Sequence, residues 1–372
     1  MSTSTKRIVI SAVNLTEAGF LSVLKDCLGA FKKIYKTEGL EIIVLVHKTE
    51  LVSDYMNDFT IIEYPQIKPS WFKRIWFEYV ECKKISEKIN PYLWIALHDI
   101  SPRVNCKQVV YCHNPTPFYK LKGHEIFSDR AFVLMCLFYR YLYAINIKKN
   151  SYVIVQQEWL RRAFEKSYDV KAIVAQPINT SATNNDFVNT ESPKIRNTKF
   201  QFFYPAFPRV AKNFEVLLKA TVQLSKIRND FEVLLTTSGN ETKHAIKLYD
   251  EYKNIKTIKF TGIKTRSQIF ELFNKVNCMV FPSNLETWGL PITEFKPFNK
   301  PMLLVDMEYA HETLGEYSKA KFFDYNDHHQ LAGYMNLIID SKLEFDKNSA
   351  VTHPSPFFNN WDELVMFLAD EL

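Results

Sequence analysis

Two glutamates in the stretch NLETWGLPITEF, residues 284–295, have the types and spacing to do chemistry. Glu286 precedes Gly289 and Glu294 follows it, with seven residues between the carboxylates. A carboxylate accepts two hydrogen bonds side by side, which suits neighbouring sugar hydroxyls. Gly289 permits a tight backbone path, and Pro291 suits the first turn of a helix. The amides of Gly289 and Leu290 then become helix-start donors for an anion, with Thr287 in the loop before them. Two carboxylates beside a phosphate site describe a pocket for a sugar attached to a nucleotide. The plainer reading, acidic side chains favouring a helix dipole, accounts for Glu294 but leaves Glu286, Gly289 and Pro291 as coincidence.

Such a pocket needs a strand, a loop and a helix in that order, and CMVFPSNLETWGLPITEF reads that way. The same alternation runs along the chain. Short β-rich apolar runs stand at 7–13, 41–47, 59–64, 93–97, 108–112 and 152–155, and again at 200–204, 231–237, 258–262, 278–282 and 302–305. Several are apolar throughout, as strands buried on both faces are. Helix-like segments separate them, which predicts α/β architecture with two doubly wound parallel sheets. The polar stretch 179–199 lacks a helical period and reads as a connection. The expected division is a first domain over 1–180, a linker over 181–199 and a second domain over 200–356. A terminal helix over 357–372 packs back onto the first domain. Ligands of such folds bind beyond the carboxyl ends of the strands, so functional residues belong on the loops there.

A chain of 372 residues is too long for one ordinary core, and 47% hydrophobic with 24% charged residues describes a globular protein. The six cysteines are scattered without a C-x-x-C pair, which fits free thiols in a reducing compartment and argues against zinc. The N-terminus does not read as a signal peptide. The apolar run 131–147 is shorter than the roughly 20 residues of a spanning helix and carries Arg140. Residues 66–172 hold 18 Lys and Arg against 9 Asp and Glu, interleaved with Trp, Phe and Tyr. That surplus suits an anionic membrane surface or anionic acceptor; an ordinary solvated surface is the equal alternative. No nucleic-acid partner is expected.

The stretch FPSNLETWGLPITEFKPFNKP resembles the E-x7-E region of the retaining glycosyltransferases of family 4. The resemblance extends over roughly 200–335, through FTGIKTRSQIFELFNKVNCMVFPS, YAHETLG and FFDYND. It implies the GT-B fold, two doubly wound Rossmann-like domains facing across a cleft. It implies that Glu294 holds the ribose hydroxyls of a nucleotide and Glu286 the donor sugar. Lys212, in FFYPAFPRVAKNF, matches a lysine that grips the diphosphate. The family's arginine falls five residues before it, where this chain has Phe207, and Arg209 is the substitute. His113, in YCHNPTPFY, matches a histidine set against the donor sugar, while His98 and Asp99 are candidates for the acceptor side or a turn cap. Gly19, Gly239 and Gly262 stand where strand-end loops approach the donor.

The resulting expectation is a cytoplasmic enzyme, a glycosyltransferase with nucleotide-diphosphate sugar as donor and no cofactor. No D-x-D motif is present, so transfer without metal is expected. The expected acceptor is a glycan or lipid-linked glycan of surface polysaccharide biosynthesis. The segments 71–89 and 131–147 are either a docking face for the inner leaflet or helices packed on the first sheet. An epimerase on the same fold and a non-catalytic sugar-nucleotide or glycan-binding protein are the rival readings.

Overall fold

The computed structural model describes residues 5–16, 18–119, 130–176 and 199–370. The expected linker lies outside these residues except for Lys199. The chain divides into two compact units, Met1–Thr180 with His353–Leu372, and Ser181–Thr352.

Seven strands open the first unit: β1 (Lys6–Ala12), β2 (Leu40–Val46), β3 (Thr60–Glu63), β4 (Leu93–Ala96), β5 (Lys107–Tyr111), β6 (Tyr152–Val155) and β7 (Ala172–Ala175). The second unit contributes β8 (Phe200–Tyr204), β9 (Phe231–Leu235), β10 (Ile258–Phe260), β11 (Cys278–Phe281), β12 (Met302–Val305) and β13 (Ala320–Phe323). A last strand, β14 (Phe357–Phe358), returns to the first sheet beside β7. The strand orders are β14-β7-β6-β5-β4-β1-β2-β3 and β10-β9-β8-β11-β12-β13. Every pairing is parallel.

Parallel strands require crossovers, and the helices supply them on both faces. In β1, Ile8, Ile10 and Ala12 pack toward Leu24 and Phe31 of the helix Ala18–Ile34, with Leu364 and Leu368 of the helix Trp361–Asp370. Val9 and Val13 face the opposite layer, with Phe77, Tyr143 and Phe164. The strand order reverses between β1 and β4 in the first sheet, and between β8 and β11 in the second. Such a reversal leaves a crevice outside the strand ends, because adjacent loops depart to opposite faces.

The returning terminus is held by specific contacts. Arg161 donates to the Pro354 and Pro356 carbonyls at 2.7 Å each, and Lys33 pairs with Asp362 at 2.5 Å. The first unit therefore takes up the chain from 353 rather than 357. The strands β7, β13 and β14 were not expected from the sequence. They span only four, four and two residues, and β13 carries Lys321 on a half-exposed edge.

Lys300 illustrates how the second unit closes a helix end. Its ammonium donates to the carbonyls of Phe273, Asn274 and Val276 at 2.8, 2.6 and 2.7 Å, capping the helix Arg266–Lys275. Those carbonyls have no partner further along the helix. Replacing Lys300 by Met should cost about 1–3 kcal/mol. Amide exchange in 266–276 should accelerate by about tenfold or more, and unchanged protection there would remove Lys300 from this role.

Candidate active site

β8 and β11 are neighbours where the second sheet reverses, so the loops after them leave from one crevice. The loop after β8 ends in a tight turn, Val210–Lys212, and Asn213 adopts a left-handed conformation (φ 51°) before the helix Phe214–Ser225. Asn tolerates that conformation better than most side chains because its short amide bonds locally. The Asn213 amide donates to the Tyr325 carbonyl at 2.9 Å. Tyr204 donates to the Lys212 carbonyl at 2.7 Å, and the Asn284 amide to the Ala211 carbonyl at 2.8 Å. The last of these ties the β8 loop to the β11 loop, while the first two fix the β8 loop to the segment after β13 and to its own strand. Together they bring the Lys212 ammonium onto the Glu286 carboxylate as an ion pair. The two side chains stay 22% and 15% exposed, open enough to exchange partners.

Gly289 ends the β11 loop at φ 81°. A Cβ there would lie 3.1 Å from the Tyr309 ring and 3.3 Å from Ile292, so both the angle and the space require glycine. The helix Glu308–Leu314 holds the loop from behind. Tyr309 donates to the Ser283 carbonyl at 2.6 Å, and Thr313 donates to the Trp288 carbonyl. Trp288 is buried and donates to Thr293 at 2.9 Å. The helix Leu290–Phe295 has only six residues, with Pro291 in its first turn. Its dipole is correspondingly small, so Lys212 rather than the helix supplies most of the positive field. Leu290 is exposed and Thr287 half-buried at the mouth.

Glu294 lies in that helix, and Arg266 reaches it at 3.0 Å. Burial pushes the Glu294 carboxyl up from its ordinary value, and Arg266 pulls it part of the way back. Sequence reading missed Arg266. It is placed by Gly262, whose φ of 76° turns the chain after β10, and by Thr265, which caps the following helix in a reciprocal bond pair with Gln268. A threonine three residues before a glutamine was the available signal.

The other expected donor contacts divide. A Cβ at Gly239 would fall 2.4 Å from Tyr249, which explains the glycine. The Gly239 amide already donates to Glu241 at 3.0 Å, alongside the amides of Ser238 and Asn240. Gly239 thus shapes a nest filled by the chain's own carboxylate. The Gly262 amide likewise donates to the Thr237 carbonyl at 3.1 Å. Arg209 is exposed, with its guanidinium over the Phe207 ring at 5.7 Å, and does not join the Lys212–Glu286 pair.

In the first unit, His113 follows β5 and is buried. Phe20 and Tyr111 pack edge-on against its ring at 5.1 Å each. Neither ring nitrogen makes a well-formed hydrogen bond, although the Leu97 backbone lies beside the ring. Burial pushes its pKa down, so the imidazole is neutral. Asp99, itself left-handed (φ 72°), accepts from the amides of His113 and Asn114 at 2.7 and 3.0 Å and from Tyr143 at 2.8 Å. Asp99 is thus the anchor of the histidine loop. His98 faces inward, 3.1 Å from Ser11 and 3.3 Å from Glu78, which corrects the expectation that it lines an acceptor site. Burial drives Glu78 up to about 8 and His98 down to about 3, leaving an uncharged pair. Gly19 lies in the first turn of its helix rather than in the loop before it. The turn after β1 is closed instead by the Leu15 amide, which donates to the Ala12 carbonyl at 3.0 Å. Among the described residues, no three His, Cys, Asp or Glu side chains gather as a metal site.

Comparison with known proteins agrees with this geometry. Residues 186–350 match the family model described as Glycosyl transferases group 1. The O-antigen chain mannosyltransferase RfbU of Salmonella typhimurium is 22% identical over 229 residues, covering 59% of this chain. That match spans 62% of the relative's length. A solved glycosyltransferase from Rickettsia africae superposes with a TM-score of 0.60 at 16% identity, over 91% of this chain and 89% of that one. The Anabaena protein HepE, solved in complex with UDP, gives 0.57 at 14% identity over 90% of this chain and 91% of that one. The fold is GT-B, and residues 186–350 of this chain are similar to the glycosyl transferases group 1.

Proposed function

We propose that the chain transfers a sugar from a nucleoside-diphosphate sugar to a hydroxyl of a glycan, with retention at the anomeric carbon. The observation that carries this reading is the Lys212–Glu286 pair at the reversal of the second sheet, with Glu294 and Arg266 behind it. In this reading the diphosphate takes Lys212 from Glu286, and the freed carboxylate accepts hydroxyls of the donor sugar. Glu294 accepts the ribose hydroxyls. Arg209 and the amides near Gly289 add donors to the phosphates.

The acceptor hydroxyl attacks the anomeric carbon on the face the diphosphate leaves. The departing phosphate oxygen takes the proton, so no enzyme nucleophile is needed. A retaining glycoside hydrolase differs, because a second carboxylate attacks and forms a glycosyl-enzyme. Lys212 stabilises charge on the leaving group, where a preorganised cation contributes most. His113 of the first unit is neutral, so it can offer a hydrogen bond but not a charge. Transfer proceeds without a metal ion.

HepE was solved with UDP and with UDP-glucose, and RfbU is described as a mannosyltransferase of the O-antigen chain. These support a nucleotide-sugar donor and a surface-polysaccharide glycan as acceptor; we propose further that this glycan is lipid-linked and met at the cytoplasmic face. Among the described residues, no helix is long and apolar enough to cross a membrane.

Lys212→Met should lower kcat by about 10²–10³-fold. It also leaves Glu286 without its counter-charge, so the double variant Lys212→Met/Glu286→Gln should recover thermal stability but not activity. Recovery of both would make the pair structural. Product configuration read by NMR should match that of the donor; an inverted product, or an epimerised sugar nucleotide without transfer, would overturn the reading. Nucleotide binding requires ionised Glu294. Because burial raises its pKa, affinity should begin to fall at a pH above that of an ordinary carboxylate. Titration calorimetry across pH should show this loss, and Glu294→Gln should bind weakly at every pH. Equal pH profiles in the two proteins would remove Glu294 from the site.

A further inference from the structure

The helix Arg130–Ala144 is apolar on both sides. Its inward stripe, Tyr139, Leu142 and Tyr143, is buried in the first unit's core. Its outward stripe, Leu134, Phe138 and Tyr141, continued by Ile145, follows the helical period and is exposed. Tyr141 is 73% exposed and Leu134 66%. A surface helix ordinarily turns charge outward. The helix Trp71–Trp76 adds exposed Trp71, Phe72 and Trp76. Trp71 packs edge-on against Phe138 at 5.3 Å, which joins the two helices into one face.

The charges around this face are mostly positive, with Glu81 held by Trp76 at 3.2 Å and by Lys84 at 3.1 Å. Residues 130–149 hold four Lys and Arg and no acidic residue. Arg74 stacks over Trp71 at 4.9 Å, and Lys73, Arg140 and Lys149 are exposed. Contiguous exposed apolar patches mark interaction sites. Tryptophan and tyrosine favour the headgroup level of a bilayer, where their rings are apolar and their polar atoms wet. Nearby lysine and arginine are attracted to anionic headgroups.

We infer that this face docks the first unit on an anionic lipid surface, with the aromatic side chains entering the headgroup layer and the cations above them. The inference rests on the exposed face and not on the transfer reading, so vesicle binding and catalysis fail independently. The intact protein should co-sediment with vesicles of phosphatidylglycerol and phosphatidylcholine, and far less with phosphatidylcholine alone. The variant Phe72→Ser/Leu134→Ser/Tyr141→Ser should lose about tenfold or more of that binding. Its melting temperature and its transfer to a water-soluble acceptor should not change. Arg140→Glu/Lys149→Glu should lose the preference for anionic vesicles. No binding by the parent protein, or equal binding by the triple serine variant, overturns the inference. So does a dimer in sedimentation equilibrium that the triple variant dissolves while neither form binds vesicles.

Discussion

A half-buried ion pair between Lys212 and Glu286 joins two loops that meet only because β8 and β11 are neighbours where the strand order reverses. Everything around the pair serves to hold those loops. Asn284 ties them at their roots, Tyr204 and Asn213 fix the first, and Tyr309 and Thr313 brace the second from behind. A pair this buried gains little net stability, because the cost of desolvating both charges offsets their attraction. Its value lies in geometry: a cation and a carboxylate stand ready at one point, each able to change partner when an anion arrives.

The molecule places charge inside at a cost and offsets it differently in each case. Glu294 is largely buried and answered by one exposed arginine, so its carboxyl stays raised. That leaves an acceptor only partly satisfied, which suits a group that must receive ligand hydroxyls. Glu78 and His98 are fully buried and resolve the same difficulty by remaining uncharged. Burial pulls the pKa of the Lys300 ammonium down to about 8, and it spends all three donors on helix carbonyls. The first and last of these lie on the second unit, yet of the two only Glu294 is left with capacity for a ligand.

The alternation of apolar runs and the NLETWGLPITEF stretch made both sheets and the two glutamates legible, because strand burial and a strained glycine leave local marks. Gly289 and Pro291 stand in the loop and first turn as expected. What escaped was set by distance in the chain. Arg266 meets Glu294 from a helix that ends before β11 begins, and Asp99 organises the histidine loop from the end of another strand. Gly239 read as a donor contact because its position was right, but its amide is consumed by Glu241 two residues on. The pairing of β14 with β7 depends on Arg161 holding a segment almost two hundred residues away, and no local pattern announces that.

The central claim is that the second unit binds a nucleoside diphosphate through Glu294 without metal. The direct measurement is thermal stability with UDP, GDP, CMP, dTDP and their sugars, in a chelator, for the parent protein and Glu294→Ala. Ligand at about 100 times its dissociation constant adds roughly 2.7 kcal/mol. The account predicts that one nucleotide raises the melting temperature and that Glu294→Ala abolishes the shift. A shift of equal size in Glu294→Ala, or no shift with any of the nucleotides, would contradict it.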